Sequence, residues 1–273
     1  MNSLIKLISL AVSLLFLISC NNPKNDSPNV LLLGTVHNPT KNVTADSIYD
    51  ILQKFKPDII LMELDSTFFY EDFTYKFLFN GNEMVATTRY KMQHPEVQLR
   101  PIEFEGRETY RDQIGIYPEI TLEFGSILQQ LSQTNRLNNN EKEYLRKLFY
   151  YDSLNTRLKE EKLSVINDPK TDLIVDSLNH YKYLKLKQIS DNHVIFKTTK
   201  LLDAKKDSVS VKENFDLYVD FEMNQRNNAL ANNSIAIIKQ NPNKKIIILV
   251  GFAHKSFILK AFKKQGILCK SAP

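Results

Sequence analysis

Three runs of apolar residues along the chain have the length of buried strands. They are VLLLG at 30–34, DIILMEL at 58–64 and IIILVG at 246–251. Continuous apolar runs of this length are typical of strands covered on both faces of a parallel sheet. Two weaker runs, VQLRPIEFE at 97–105 and GILCK at 266–270, predict further short strands. Pro101 predicts an edge position for the first of these, because proline cannot donate to a central ladder.

A helix is predicted between the first two runs. The segment ADSIYDILQKF, residues 45–55, places its apolar side chains at helical spacing, namely Ile48, Ile51, Leu52 and Phe55. Thr44 or Asp46 is available as the N-cap, and Pro57 ends the helix. A helix that joins two buried strands predicts a β-α-β unit with parallel strands and a right-handed crossover.

The middle of the chain, about residues 118–212, changes from strand patterns to helical ones. Amphipathic helices are predicted at 118–133, 140–158 and 171–187, and helical patterns return at 214–240 and 255–264. The sequence therefore predicts an α/β fold: a mostly parallel central sheet flanked by helices, with residues 118–212 as an inserted helical cap. One domain is expected over residues 30–273.

Composition and charge exclude some classes of protein. The chain has 273 residues, 42% of them hydrophobic and 25% charged, with a formal net charge of +5. This is an ordinary globular composition with enough length for a substantial core. The lysines are dispersed among acidic residues rather than gathered into a basic stripe, so no nucleic-acid partner is expected.

The amino terminus predicts export and a lipid anchor. Residues 1–19 combine Lys6 with a short apolar run and read as a signal peptide, and the ending LISC resembles a bacterial lipobox. That resemblance implies cleavage before Cys20 and lipid attachment to its sulfur. The alternative is an unprocessed anchor helix. Residues 20–29 are polar and carry prolines, as in a flexible tether, so we expect a membrane lipoprotein of the bacterial cell envelope.

A Gly-x-x-His pattern follows two of the predicted strands. Gly34 leads to His37, and Gly251 leads to His254. Glu63 ends the second strand in an apolar setting, where an unpaired charge is costly, so it needs a metal, an arginine or a histidine as partner. Because the carboxyl ends of parallel strands meet at one edge of a sheet, the two imidazoles and this carboxylate are expected to converge there.

Several other polar residues can be explained without a role in this site. Asp65 can join the site or cap the following helix. The surroundings of His94, His180 and His193 are polar, so these histidines are interpreted as surface residues.

Arg226, in EMNQRNNALA, carries two open interpretations. It can form an ion pair with Glu222 one helical turn away, or it can act as an anion clamp, since a guanidinium binds carboxylates bidentately.

Four short motifs, LGTVH, MELD, QRNNALA and VGFAH, resemble in order those of the TraB/PrgY/GumN family. That family includes the TIKI proteins and belongs to a wider superfamily with erythromycin esterases and ChaN-like haem-binding lipoproteins. The resemblance implies that His37, Glu63 and His254 form a metal or catalytic site. Gln225 stands where the family commonly has an acid, and Leu230 where it has methionine. These departures bear on the role of Arg226.

The resemblance to TIKI members implies a metal-dependent hydrolase. Two neutral imidazoles and a carboxylate would leave an open position on a divalent metal such as Zn, Mn or Co, which lowers the pKa of a bound water to about 7. Arg226 would then steady a substrate carboxylate or the oxyanion. Glu63 is either a ligand or the general base.

We therefore expect a lipid-anchored, metal-dependent hydrolase that acts on peptides or another small substrate, with Glu63 and Arg226 as catalytic residues. The rival hypothesis is a lipoprotein that captures a peptide or haem without turnover. A purely structural envelope protein is a weaker third hypothesis, because it leaves the paired histidine motifs unexplained.

Overall fold

The computed structural model describes residues 29–116, 119–202 and 208–271. The predicted signal peptide, Cys20 and nearly all of the tether lie outside these residues. Within the part of the chain that is described, no helix is long and apolar enough to cross a membrane.

A five-stranded parallel sheet forms the centre of the fold. Its strands are β1 (Val30–Thr35), β2 (Ile59–Met62), β3 (Gln98–Pro101), β6 (Ile246–Gly251) and β7 (Lys270–Ser271). They lie in the order β3-β2-β6-β1-β7. A separate antiparallel hairpin contains β4 (Lys200–Leu202) and β5 (Ser208–Ser210). The predicted α/β class is confirmed, and β3 with Pro101 lies at an edge of the sheet as expected.

The described residues contain twelve helices. They are α1 (Ala45–Phe55), α2 (Asn82–Gln93), α3 (Arg107–Gln113), α4 (Glu119–Gln133), α5 (Asn139–Leu158), α6 (Leu163–Ile166), α7 (Pro169–Asn179), α8 (Leu186–Asn192), α9 (Ile195–Thr198), α10 (Val211–Asp220), α11 (Asn227–Gln240) and α12 (Phe252–Lys264). A 3₁₀ turn covers Ser66–Phe68, and π-helical segments cover His180–Lys185 and Phe221–Arg226.

Burial on both faces of the sheet explains why its strands are continuously apolar. In β1 the side chains of Leu31 and Leu33 pack with α1 and α2, whereas Val30 and Leu32 pack with α11 and α12. Successive residues of a strand point to opposite faces, so each face needs its own apolar partner. A third core lies among the helices of the middle region and includes Phe124, Leu131, Ile189, Phe196 and Phe215.

The α10 helix, the π-helical segment and α11 run without interruption from Val211 to Gln240. The amino-terminal part packs in the third core through Val211 and Phe215, and the carboxyl-terminal part packs on the sheet through Leu230 and Ile235. This helix therefore connects the helical region to the edge of the sheet where the predicted site lies.

Asn167 hydrogen-bonds to the edge of β1 beyond the point where the short strand β7 ends. The Asn167 side chain accepts from the Gly34 N–H at 2.7 Å and donates to the Gly34 carbonyl at 2.9 Å. The fully buried Lys255 donates to the Asn167 carbonyl at 3.1 Å and to Asp172 at 2.9 Å. These contacts fasten the carboxyl end of β1 to the helical region and to α12.

Candidate functional site

The carboxyl edge of the sheet brings the three predicted residues together. The strands β1 and β6 are direct neighbours, with Thr35 opposite Gly251, and β2 pairs with the other side of β6. Glu63 Oε1 lies 3.4 Å from His254 Nε2, and Glu63 Oε2 lies 3.9 Å from His37 Nε2. All three line a cavity of about 440 Å³. His254 lies in the first turn of α12, which begins at Phe252, three residues before the helical pattern that the sequence shows at 255–264.

Glu63 is compensated by an arginine and a backbone amide. Arg226 Nη2 donates to Glu63 Oε1 at 2.6 Å, and the Gly251 N–H donates to Oε2 at 2.6 Å. Burial favours the neutral acid, but the attraction of His254 in its protonated form and of the charged Arg226 and His37 outweighs it and holds the pKa of Glu63 below its usual value. The carboxylate therefore stays charged and held at the centre of the site.

Arg226 forms the ion pair with Glu222 that the sequence offers as one interpretation, and it also binds two other buried carboxylates. Its Nη1 lies 3.3 Å from Glu222, the helical neighbour, while Nε and Nη2 bind Glu103 at 2.7–3.1 Å. With most of its donors directed to internal carboxylates, Arg226 holds Glu63 in place. Its role as a substrate clamp stays a prediction. Glu103, which follows β3, is a partner that the sequence pattern did not indicate.

His37 is oriented by Glu83, another residue that the sequence pattern missed. Its Nδ1 lies 2.8 Å from Glu83 Oε1, and the Thr35 hydroxyl also binds this oxygen. The hydrogen bond to Glu83 raises the pKa of His37 to about 9 against the opposing effect of burial. His37 is therefore an imidazolium at neutral pH. Asn82 fixes the loop, since its N–H donates to the His37 carbonyl at 2.8 Å.

His254 has an uncharged partner. Its Nδ1 lies 2.8 Å from the side-chain oxygen of Asn227, the first residue of α11. Burial lowers the pKa of His254 below its usual value despite the attraction of Glu63. At neutral pH the site thus combines one charged imidazole, one neutral imidazole and one buried carboxylate.

The two glycines of the repeated pattern permit close approach. A Cβ at Gly251 would lie 3.0 Å from His37 Nε2 and 3.5 Å from Glu63 Oε2. A Cβ at Gly34 would lie 3.0 Å from the Cβ of Phe252. Neither glycine has positive φ, so a sharp turn is not the reason for glycine at either position. Gly251 leaves room for the site itself, and Gly34 leaves room for the start of α12.

Other polar residues considered from the sequence lie outside this cluster. Asp65 caps the 3₁₀ turn and accepts from the Thr67 N–H at 3.0 Å. His180 is exposed, as expected. His193, however, is only 13% exposed in its side chain and lies 3.1 Å from the buried Glu141, so its interpretation as a surface residue is wrong.

The donor types present are those that a divalent metal would need. Both imidazoles are held through Nδ1 with Nε2 toward Glu63, which is how metal-binding histidines are usually oriented. Within residues 29–116, 119–202 and 208–271, no group of three or more His, Cys, Asp or Glu side chains forms a ready metal site. Binding of Zn, Mn or Co by His37, Glu63 and His254 stays a prediction.

Comparisons with known proteins add little to this geometry. No family model matches the chain, and no curated protein matches it. The chain has a likeness to a solved structure of an erythromycin esterase mutant, EreC, in its open conformation, with 12% identity and a TM-score of 0.35. That likeness covers 90% of this chain and 69% of the other. At this TM-score it bears on neither fold nor reaction, and the family resemblance of the motifs stays a prediction.

Proposed function

We propose that the protein is a hydrolase whose active site is the cavity at the carboxyl edge of the sheet. The observation that carries the proposal is the pair of unlike imidazoles facing one buried carboxylate. Hydrolysis needs a group that accepts a proton from water and a group that stabilises negative charge on the substrate oxygen. A neutral and a charged imidazole on the two sides of Glu63 supply these two groups.

His254 is the proton acceptor in this proposal. Its Nδ1 faces the Asn227 oxygen and its Nε2 faces Glu63 Oε1 at 3.4 Å, so a water bound beside Glu63 has a neutral nitrogen within reach. His37 is the electrophilic group, because its Nε2 carries a proton when the ring is charged. Arg226 keeps Glu63 charged and fixed.

A divalent metal is the proposed cofactor. Metal binding would displace the Nε2 proton of His37, and His37, Glu63 and His254 would hold the ion. The ion would supply a bound water with a lowered pKa, in place of the acid and base roles of the two metal-free imidazoles. The proposal also places the protein at the bacterial cell envelope, anchored through Cys20. The substrate is a peptide or another small molecule with an apolar group, because the cavity has an apolar wall formed by Met62, Leu64, Phe79, Met84 and Leu249.

The test is a substrate panel with purified full-length protein. Nitrophenyl esters and fluorogenic peptides are incubated with wild type and with the His254→Ala, His37→Ala and His94→Ala variants. Loss of roughly 10²-fold or more is expected for His254→Ala and His37→Ala, as for a positioned acid or base. His94→Ala serves as the control, because His94 lies away from the cavity and pairs with Glu96. Full activity of His254→Ala, or no turnover of either substrate class, contradicts the proposal.

The metal is tested separately. Elemental analysis should find one metal ion for each chain in the wild type and none in His37→Ala. If protein from which a chelator has removed the metal retains its activity, the metal is not required. A Soret band in the purified protein would instead support the rival hypothesis of haem capture.

A further inference from the structure

The amide of Asn227 has only one workable orientation. Its Nδ2 donates to the Glu222 carbonyl at 2.9 Å, and its Oδ1 lies 2.8 Å from His254 Nδ1. A carbonyl oxygen can only accept, so the amide nitrogen must face Glu222. The amide oxygen therefore faces His254, and the opposite orientation would place two acceptors against each other.

This orientation determines where the proton of His254 resides. An amide oxygen accepts but cannot donate, so Nδ1 must carry the proton. In the neutral ring Nε2 then has a free lone pair, which points toward Glu63 Oε1 at 3.4 Å. Glu63 alone would favour the other tautomer, in which Nε2–H donates to the carboxylate. Asn227 and Glu63 thus act on the same ring in opposite directions.

The other imidazole has the same orientation with a partner of different charge. His37 Nδ1 faces the Glu83 carboxylate at 2.8 Å, which supports a charged ring. The Asn227 amide can hold a ring in place without adding a negative charge. The two histidines therefore differ in the partner of Nδ1, which is a carboxylate for His37 and a neutral amide for His254.

We infer that Asn227 is a positioning residue that fixes the Nδ1–H tautomer of His254 and so presents the Nε2 lone pair to the cavity. The use of that lone pair, by water or by a metal, rests on the proposed hydrolytic function. The tautomer itself can be measured without a substrate, so the two can fail separately.

The first test is nitrogen-15 NMR of the histidine side chains in chelator-treated, full-length protein above pH 7. The His254 signals are assigned by their loss in His254→Ala. The expected pattern is a protonated Nδ1 and an unprotonated Nε2. A protonated Nε2 with an unprotonated Nδ1 in the wild type overturns the inference, whatever the variants do.

The second test uses variants of the partner. Asn227→Leu should move the His254 proton to Nε2, because Glu63 is then the remaining acceptor. Asn227→Asp, which keeps an acceptor there, should retain the proton on Nδ1. Asn228→Leu is the matched control, because Asn228 is the next residue on α11 and is exposed. Folded Asn227→Leu protein with an unchanged tautomer would overturn the inference.

Turnover gives a third readout once a substrate is known. Asn227→Leu should lower kcat by roughly 10²-fold or more, with a smaller change in KM, because a ring in the wrong tautomer cannot accept the proton. If the tautomer is as inferred and no substrate is ever turned over, the positioning role stands and the proposed hydrolase fails.

Discussion

Adding one methyl group at Gly251 should damage the site while leaving the fold intact. The new Cβ would lie 3.0 Å from His37 Nε2 and 3.4 Å from its Cε1. Nonbonded heavy atoms prefer a separation of about 3.5–4.0 Å, so the ring must move by roughly 0.5–1 Å. A displacement of about 1 Å can reduce a rate by roughly 10²-fold, which corresponds to about 2.7 kcal/mol in the barrier.

The stability of Gly251→Ala should change by less than about 1 kcal/mol, for two reasons. The backbone at Gly251 has a negative φ of −53°, with ψ 133°, so alanine does not have to adopt a left-handed conformation there. The His37 side chain is 57% exposed, so the ring can move toward solvent.

Gly34→Ala is the matched comparison for this variant. Its Cβ would meet the backbone of Phe252 at 3.1 Å in a buried position that cannot yield easily. Overpacking of this kind costs about 1–3 kcal/mol. Gly125→Ala, whose Cβ meets nothing within 4 Å in the middle of α4, should stabilise the protein by up to about 1 kcal/mol.

The assay combines urea unfolding with turnover and the NMR signals of His37. The expected result is that Gly251→Ala loses turnover and shifts the His37 signals at near-normal stability, whereas Gly34→Ala loses stability. Unchanged His37 signals and unchanged kcat in Gly251→Ala would refute the close-approach reasoning, as would unfolding as severe as that of Gly34→Ala.

Three further predictions concern charge and anchoring. Glu83→Gln should lower the pKa of His37 from about 9 toward 6.5 in an NMR titration. Because the pKa of His37 is raised in the folded protein, the His37–Glu83 pair stabilises the wild type fully below pH 6.5 and progressively less up to about pH 9. The variant should lose this pH dependence of stability. Lys255→Ala should lower the free energy of unfolding in urea by about 3–5 kcal/mol, because it leaves Asp172 without its buried partner. Lys260→Ala breaks an exposed pair on the same helix and should lower it by less than about 1 kcal/mol. Equal losses of stability in the two variants would contradict this prediction. Cys20→Ser should leave the protein unprocessed or released from membranes, as measured by fractionation and mass spectrometry, and unchanged membrane retention would rule out lipidation at this residue.

The strands and most helices could be predicted because apolar burial leaves a periodic record in the sequence. Helix α1 begins and ends where the pattern of apolar residues indicates, with Thr44 as its N-cap. The parallel arrangement then placed His37, Glu63 and His254 at one edge by a general rule of α/β sheets. Helix α2 was missed, since its buried side chains include Asn82, Glu83 and Thr87, which interrupt an apolar pattern.

The partners of the site residues could not be predicted, because each depends on contacts between distant parts of the chain. Glu83 comes from α2, Glu103 follows the edge strand, and both lie far in sequence from the groups they bind. Asn227 lies within the quoted motif QRNNALA, yet its spacing gives no sign that its amide faces His254. The sequence offers one signal for such partners: an acidic or amide residue near the start of a helix, where the sequence pattern gives it no evident role.

The wide helical turn at Phe221–Arg226 lies between two segments that belong to different cores. A turn closed by i→i+5 hydrogen bonds holds one residue more than a regular α-helical turn. Removal of a single residue there would restore regular winding and allow both flanking segments to keep their packing, while rotating the side chains within the turn, Arg226 among them, relative to the sheet edge. The fold should therefore tolerate the loss of one residue in this turn, whereas the chemistry of the site should not. Natural or engineered versions that differ there by one residue should fold alike and differ in activity.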